Sequence, residues 1–429
     1  MSDGARDLLI RGLAAMRAGD HLEARRYLEW LLRLDPDEQQ RIEAWLALAE
    51  MSTDPVEKRN YLEDVLARDT GEARARRALA ILDGKLKVED IVDPDQVLQP
   101  VVEVEQATGA RRFICPQCGG RMTFKPDGKT LTCEYCETRQ AISNSRQAGE
   151  QLSAGENFTI AMATASGHLR PAARRTFTCQ GCGISFVLPP TQLTLTCPHC
   201  ASAYVVDAGE VETILPNGVI PFGVDETQAK RLLRAWLERN RLLNSTRVTS
   251  GAAVYVPAWA FDLSGSIGWR GMRQGERKLS TSELLFGGPR RREWLPARGD
   301  HPLLRGNVLV LAAGAWPEPC LPALAAFDLG QVAPYDEAYL ANWPAETYQL
   351  AVGDASLQAR QRVLQEEQAS IRAQLGGQVR DLTFNSAGMI VDAFRLLLLP
   401  VWMVTMTIGG KKAQAVVNGQ NGDVFGEGA

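Results

Sequence analysis

Cysteine placement restricts this chain more than any other feature. Of nine cysteines in 429 residues, eight fall between positions 115 and 200. They form two sets with one spacing, C-x₂-C-x₁₄-C-x₂-C: Cys115, Cys118, Cys133 and Cys136, then Cys179, Cys182, Cys197 and Cys200. Each set supplies four thiolates, the donor set of a closed tetrahedral structural zinc site. Two residues between cysteines make a tight knuckle in which both sulfurs face one ion, and Gly119 and Gly183 permit the turn that follows.

Between the first pair of knuckles, Met122–Phe124, a Pro126-Asp127-Gly128 turn and Thr130–Thr132 predict a β-hairpin. So small a unit buries too little apolar surface to fold alone, and metal binding supplies the difference. Zinc ribbons are expected over residues 111–142 and 176–207, with two Zn²⁺ ions, one per set. Iron in a rubredoxin-like site would use similar ligands, whereas a reducing cytosol disfavours disulfides. Redox chemistry would need a C-x-x-C on a βαβ unit, which four regular pairs do not resemble. His199 lies inside a knuckle whose set Cys200 already completes, and Cys320 is left over as a buried, inert thiol.

A second repeat lies upstream. Tyr27-Leu28-Glu29 recurs as Tyr61-Leu62-Glu63, 34 residues later, and Leu32 and Asp35 map onto Leu66 and Asp69. That is the tetratricopeptide period, one antiparallel helix pair per repeat. Gly12 and Ala24 would let paired helices approach closely, and a helix over Glu72–Leu82 caps the stack. Residues 1–84 are thus expected to be helical hairpins offering a groove to a partner protein. With only two repeats, the array is expected to lean on the neighbouring domain.

Residues 85–110 and 143–175 read as linkers, the second holding an extended strand at Asn157–Met162. Residues 211–429 read as an α+β domain. Asp225 and Gln228 form a capping box ahead of an apolar face at Ala229, Leu232, Leu233, Trp236 and Leu237. A second helix is predicted from Ala355 to Leu375, capped by Asp354 and stopped by Gly376-Gly377, with a stripe of Leu357, Leu364, Ile371 and Leu375. Strands are predicted at Ala253–Phe261, Leu303–Ala312, Leu396–Ile408 and Ala413–Val417, with Asn-Gly turns at 418 and 421.

No catalytic constellation emerges. Asp262, Asp328, Asp336, Glu337 and Asp392 have no sequence partner, His301 reads as a loop or surface residue, and six tryptophans after residue 258 read as core. No complete phosphate-binding loop occurs. The charged start predicts no secretory signal. The longest apolar run, Leu396–Val404, is a buried strand, too short for a membrane span. A cytoplasmic, non-enzymatic protein follows. Lys+Arg 47 against Asp+Glu 51 gives a net charge of −4, so no global field draws nucleic acid. Seven basic residues nonetheless face three acidic ones over 111–146, and Phe124, Tyr135, Phe177 and Phe186 offer stacking faces, which makes nucleic acid the alternative partner.

The knuckles, Ile220-Pro221-Phe222, Tyr255–Asp262, Pro334-Tyr335-Asp336, Leu399–Trp402 and Val417–Gly422 together resemble an uncharacterised bacterial double zinc-ribbon family. The resemblance covers about residues 111–426, with the helical repeats as an N-terminal addition. Family members are often labelled as related to the primosomal replication-restart helicase, which implies zinc binding without naming a reaction. The expected protein is a multi-domain zinc scaffold: tetratricopeptide-like hairpins, two small β zinc ribbons and a C-terminal α+β domain.

Overall fold

The computed structural model describes residues 2–92, 110–142, 155–169, 175–178, 185–188, 194–196, 203–206, 214–276 and 292–428, apart from 112, 114, 121, 127–129, 314–315, 342 and 377–378. It contains N-terminal helices, a small cysteine-bearing unit and a C-terminal region that is mostly sheet.

Helices α1 (Ser2–Arg17), α2 (His21–Arg33), α3 (Glu38–Met51), α4 (Pro55–Arg68) and α5 (Ala73–Leu82) run as successive antiparallel hairpins. Their starts follow from short polar caps: Asp20, Asp37 and Asp54 each accept a backbone N–H of the first turn. Residues one 34-residue period apart fill equivalent places, Leu28 with Leu62 and Leu31 with Val65, all buried. Gly12 is required by packing, because a Cβ there would lie 2.7 Å from Leu28 Cδ2 in a side chain with no room to move.

The hairpins are cross-braced by charge. Arg25 on α2 donates to both Glu57 oxygens on α4, at 2.7 and 3.0 Å, and Ser52 donates to the same carboxylate. The Arg25 and Ser52 hydrogen bonds hold the Glu57 carboxyl down to about 2. A depressed carboxylate stabilises fully above its unfolded pKa, near 4.3, and loses that contribution as pH falls through the folded value. The melting difference between wild type and Glu57→Gln should therefore be constant near neutrality and close between about pH 4 and pH 2. Both partners are about a third exposed, so the difference should be about 1 kcal/mol or less. A difference that persists at pH 2 would show that the carboxylate charge is not what matters.

The helical hairpins contact the sheet region. Arg76 on α5 pairs with Asp392 at 3.0 Å, and Ala80, Leu86 and Ala163 share a small core with Ile81, Ile91 and Ile160. The segment expected to be a strand at Asn157–Met162 is instead helix α6 (Phe158–Ala163). Asn157 is the reason: its side chain accepts the Ile160 N–H and caps a helix whose buried face is Ala161 and Ala163. Only Glu156–Asn157 pair in a sheet, against Phe394 and Ala393.

The strands are numbered in chain order: β1 (Ala110–Arg111), β2 (Met122–Phe124), β3 (Thr130–Cys133), β4 (Arg139–Ala141), β5 (Glu156–Asn157), β6 (Arg175–Thr178), β7 (Ser185–Leu188), β8 (Thr194–Thr196), β9 (Ala203–Val206) and β10 (Gly218–Val219), with β13 (Ala333–Pro334) further along. Two long strands organise the rest. β11 (Thr246–Glu276) pairs along one edge with β12 (Arg292–Leu311), and along the other with β15 (Met389–Ile408) and then β14 (Val379–Asn385). The far edge of β15 takes three partners in turn: the short strands Glu156–Asn157 and Gly218–Val219, then Lys411–Asn418. The resulting sheet is curled. Its centre is covered on both faces, which is why Leu396–Val404 is an unbroken apolar run. Tyr255, Trp259 and Phe261 face one layer, whereas Val256, Ala258 and Ala260 face another built from Glu318–Ala326.

Helix α7 (Glu226–Arg239) carries the expected capping box, with both Asp225–Gln228 bonds formed, and buries Ala229, Leu233, Trp236 and Leu237. Helix α8 (Val352–Leu375) begins three residues earlier than expected, with Ala351 as N-cap. Its buried stripe is Val352, Ala355, Ala359, Val363 and Ile371, and Leu357 is exposed. Small residues let α8 lie close to the sheet, and a stripe drawn through leucines misses that. His301 lies on β12 rather than in a loop, 3.1 Å from Glu367 of α8. No helix among the described residues is long and apolar enough to cross a membrane.

Candidate metal centre

The first cysteine set is built on a three-stranded sheet: Met122–Phe124, Thr130–Cys133 and Arg139–Ala141. Its two knuckles repeat one backbone pattern. Cys115 N–H donates to Gly120 O and Gly119 N–H returns to Cys115 O; Cys133 N–H donates to Thr138 O and Glu137 N–H returns to Cys133 O. Each needs a left-handed residue at the same place, Gly119 (φ 71°) and Glu137 (φ 57°). The next residue of the first knuckle, Gly120, has no room for a side chain. A Cβ would meet the Tyr135 ring at 2.5 Å and the Cys118 and Cys133 sulfurs at 3.1 and 3.3 Å.

These knuckles bring the four sulfurs of Cys115, Cys118, Cys133 and Cys136 within 4.8 Å of one another. The Cys115–Cys136 and Cys118–Cys133 pairs are each 3.5 Å apart. A tetrahedral shell with Zn–S near 2.3 Å has edges of about 3.8 Å, so the set fits one such ion. The surroundings suit thiolates. Backbone amides of Cys118 and Gln117 hold the Cys115 thiol below its usual range, and Tyr135 N–H donates to Cys133 Sγ at 3.4 Å. The Thr138 hydroxyl and amide draw Cys136 down to about 6. At Cys118 the Gly120 amide works downward, but the Cys136 and Cys133 sulfurs outweigh it and push the thiol up to about 12.

The unit does not stand apart from the sheet region. Cys115, Met122, Phe124, Leu131 and Cys133 belong to one continuous core with Tyr339, Leu340 and the α7 face. Phe124 N–H donates to Ala341 O, Trp343 Nε1 donates to Phe124 O at 3.0 Å, and the Phe124 and Tyr339 rings meet edge-on at 5.3 Å. Phe124 is therefore unavailable for stacking on bases, while Tyr135 is 78% exposed. Buried Cys115 and Cys133 face this core, and Cys118 and Cys136 reach the surface.

The cysteines of the second set, Cys179, Cys182, Cys197 and Cys200, lie outside the described residues. The strands around them are described. Each of these cysteines follows its counterpart by the same interval, Cys115 to Cys179 being 64 residues, and Thr130-Leu131-Thr132-Cys133 recurs as Thr194-Leu195-Thr196-Cys197. The flanking strands share a register: Thr130 opposite Ala141 and Thr132 opposite Arg139, Thr194 opposite Val205 and Thr196 opposite Ala203. The recurring Thr-Leu-Thr-Cys was visible in the sequence, as a repeat signal beyond the cysteine spacing. The strand entering the first set also pairs with the one leaving the second, Ala110 with Val206.

Comparison with known proteins adds one relative and no activity. The uncharacterized protein YdjG of Bacillus subtilis (strain 168) is 24% identical over 223 residues, 50% of this chain. The matched region spans 64% of that relative's length. No family model and no solved structure matches.

Four of the five carboxylates left without roles by the sequence have structural partners. Asp262 sits at a β-bulge, accepts from Arg395 at 3.0 Å and from Asn307 N–H at 2.8 Å, and so ties β11, β12 and β15 together. Asp328 and Asp336 cap short helical turns, and Asp392 holds Arg76. Cys320 is buried, its thiol raised to about 11 by burial, with Gln414 and Phe425 carbonyls as acceptors.

Proposed function

We propose that this chain is a non-enzymatic, zinc-stabilised protein-interaction scaffold. In this reading Cys115, Cys118, Cys133 and Cys136 hold one structural Zn²⁺ in a zinc ribbon. Cys179, Cys182, Cys197 and Cys200 hold a second in its 64-residue repeat. Zinc there supplies charge neutralisation and cross-linking of two knuckles, with no open coordination position for substrate. Thiolate sites of this kind persist in a reducing compartment, in keeping with a cytoplasmic protein. The resemblance to the double zinc-ribbon family points the same way.

The observation that carries the interaction role is the outer face of α2. Leu22 (86% exposed) and Trp30 (51% exposed) lie on it with Arg25, Arg26, Glu29 and Arg33, around a groove of about 510 Å³. A large aromatic and a leucine left in water beside arginines match the composition of protein-interface anchors. The helix pairs, read as tetratricopeptide-like, present that face on a rigid support. The test is affinity capture from native cells with full-length protein and with Leu22→Glu/Trp30→Glu. A partner captured by wild type and lost by the variant supports the reading; identical partner sets would overturn it.

A further inference from the structure

The distal part of the curled sheet carries a second surface, unrelated to the cysteines. Where β14, β11 and β12 lie side by side, strand alternation sorts side chains onto two faces. One face turns to α8: Trp269 and Phe384 pack there, and Arg372 of α8 lies 5.2 Å over the Phe384 ring. The opposite face presents Asp300, Gly268 and Asn385 in one cross-strand row, and Arg298, Arg270 and Thr383 in the next. All but the glycine are exposed, and the rows border a trough of about 620 Å³. Gly268 leaves its floor open.

Two features of this face work against the stability of the free protein. Arg270 and Arg298 are directly opposed across neighbouring strands, where like charges destabilise a sheet. Neither guanidinium is within ion-pairing distance of a carboxylate among the described residues. Further along, the Arg380 guanidinium lies 4.2 Å over the Trp294 ring, a flat aromatic and cationic platform at the end of the same face. The face's described side chains include the guanidinium groups of Arg270, Arg298 and Arg380, with Asp300 in the neighbouring row and Asp381 3.4 Å from Arg380, in a chain of net charge −4.

We infer that this open face of β14, β11 and β12 binds single-stranded nucleic acid. The opposed Arg270 and Arg298 pair receives backbone phosphate, Trp294 with Arg380 provides a stacking surface for a base, and Thr383 and Asn385 supply polar contacts beside the trough. Phosphate removes the Arg–Arg repulsion, and an aromatic platform next to a cationic track is the combination that single strands require. A duplex has its bases already stacked and gains nothing from Trp294.

The test is fluorescence anisotropy of labelled oligodeoxythymidine of about 20 nucleotides with the full-length chain across a salt series. Binding is expected, and Arg270→Gln/Arg298→Gln should weaken it about tenfold and flatten the log–log salt slope by about 1.4, two phosphates' worth. Trp294→Leu should weaken it about tenfold with the slope unchanged, a readout that charge loss would not give. The double arginine variant should melt no lower than wild type, because it removes a repulsion. No binding at low salt, or wild-type binding by both variants, would overturn the assignment. So would loss of binding confined to Lys125→Gln/Arg139→Gln in the first cysteine unit. Capture on anionic phospholipid vesicles without any oligonucleotide binding would overturn it too, by assigning the face to a membrane surface.

Discussion

On the proposed two-zinc reading, Cys133→Ser should lower the zinc content of purified protein from two ions per chain to one, and should destabilise the sheet region as well as the cysteine unit. The second effect follows from geometry. Cys133 is buried in a core that continues through Phe124 and Met122 to Tyr339 and the α7 face. Structural zinc contributes roughly 10–16 kcal/mol to the folding of small peptide domains. Only part of that must reach the shared core for several kcal/mol to be lost. At 2–4 °C per kcal/mol for a region of this size, the melting midpoint should fall by roughly 10 °C. Metal analysis and calorimetry on the same samples provide the check. A variant that keeps two ions, or loses one with no change in melting, would separate the cysteines from the core they face.

Phe124→Ala should produce the complementary result: full zinc content with a weakened sheet region. Phe124 is buried, lies edge-on to Tyr339, and exchanges backbone and indole hydrogen bonds with Ala341 and Trp343. Truncating a buried phenylalanine costs about 3–5 kcal/mol. The backbone bonds survive the substitution, so the cost reflects lost ring packing. Trp343 stacks on Phe222 at 4.2 Å and meets Trp402 edge-on, so its fluorescence should report the loosened interface. If zinc content fell as well, Phe124 would be supporting the knuckles more than the docking.

What the sequence disclosed, and what it hid, divides along the range of the interactions. The helix hairpins, the Asp225–Gln228 capping box and the Asn418 and Asn421 turns depend on residues within a few positions of one another, and all could be read locally. The first sulfur cluster was equally legible, because the knuckle is a local turn and the spacing brings the pairs together. The misreadings have physical causes. At Asn157 a side-chain cap outweighed strand-like alternation, and on α8 small residues bury where leucines were expected. His301 acquires its place only when β12 meets Glu367 of α8. The docking of Phe124 on Tyr339 and Trp343 joins segments about two hundred residues apart, and no local pattern announces it. The basic open face was hidden for the same reason, since Arg270, Arg298 and Thr383 become neighbours only through strand register.

The pairing of β11 with β15 also sets an order of events during synthesis. Every contact within the helix hairpins closes over a few dozen residues, so that array can form soon after it leaves the ribosome. Val256 must wait for Leu399, and the edge strands at Glu156–Asn157 and Gly218–Val219 must wait for β15 as well. Until then β11 exposes the apolar stretch Tyr255–Phe261 along an unpaired edge, while the helix hairpins already have all the contacts they need. On the proposed zinc reading, early metal capture would give Tyr339 and Trp343 a preformed surface to close upon, and metal supply would then bear on folding yield as well as on final stability.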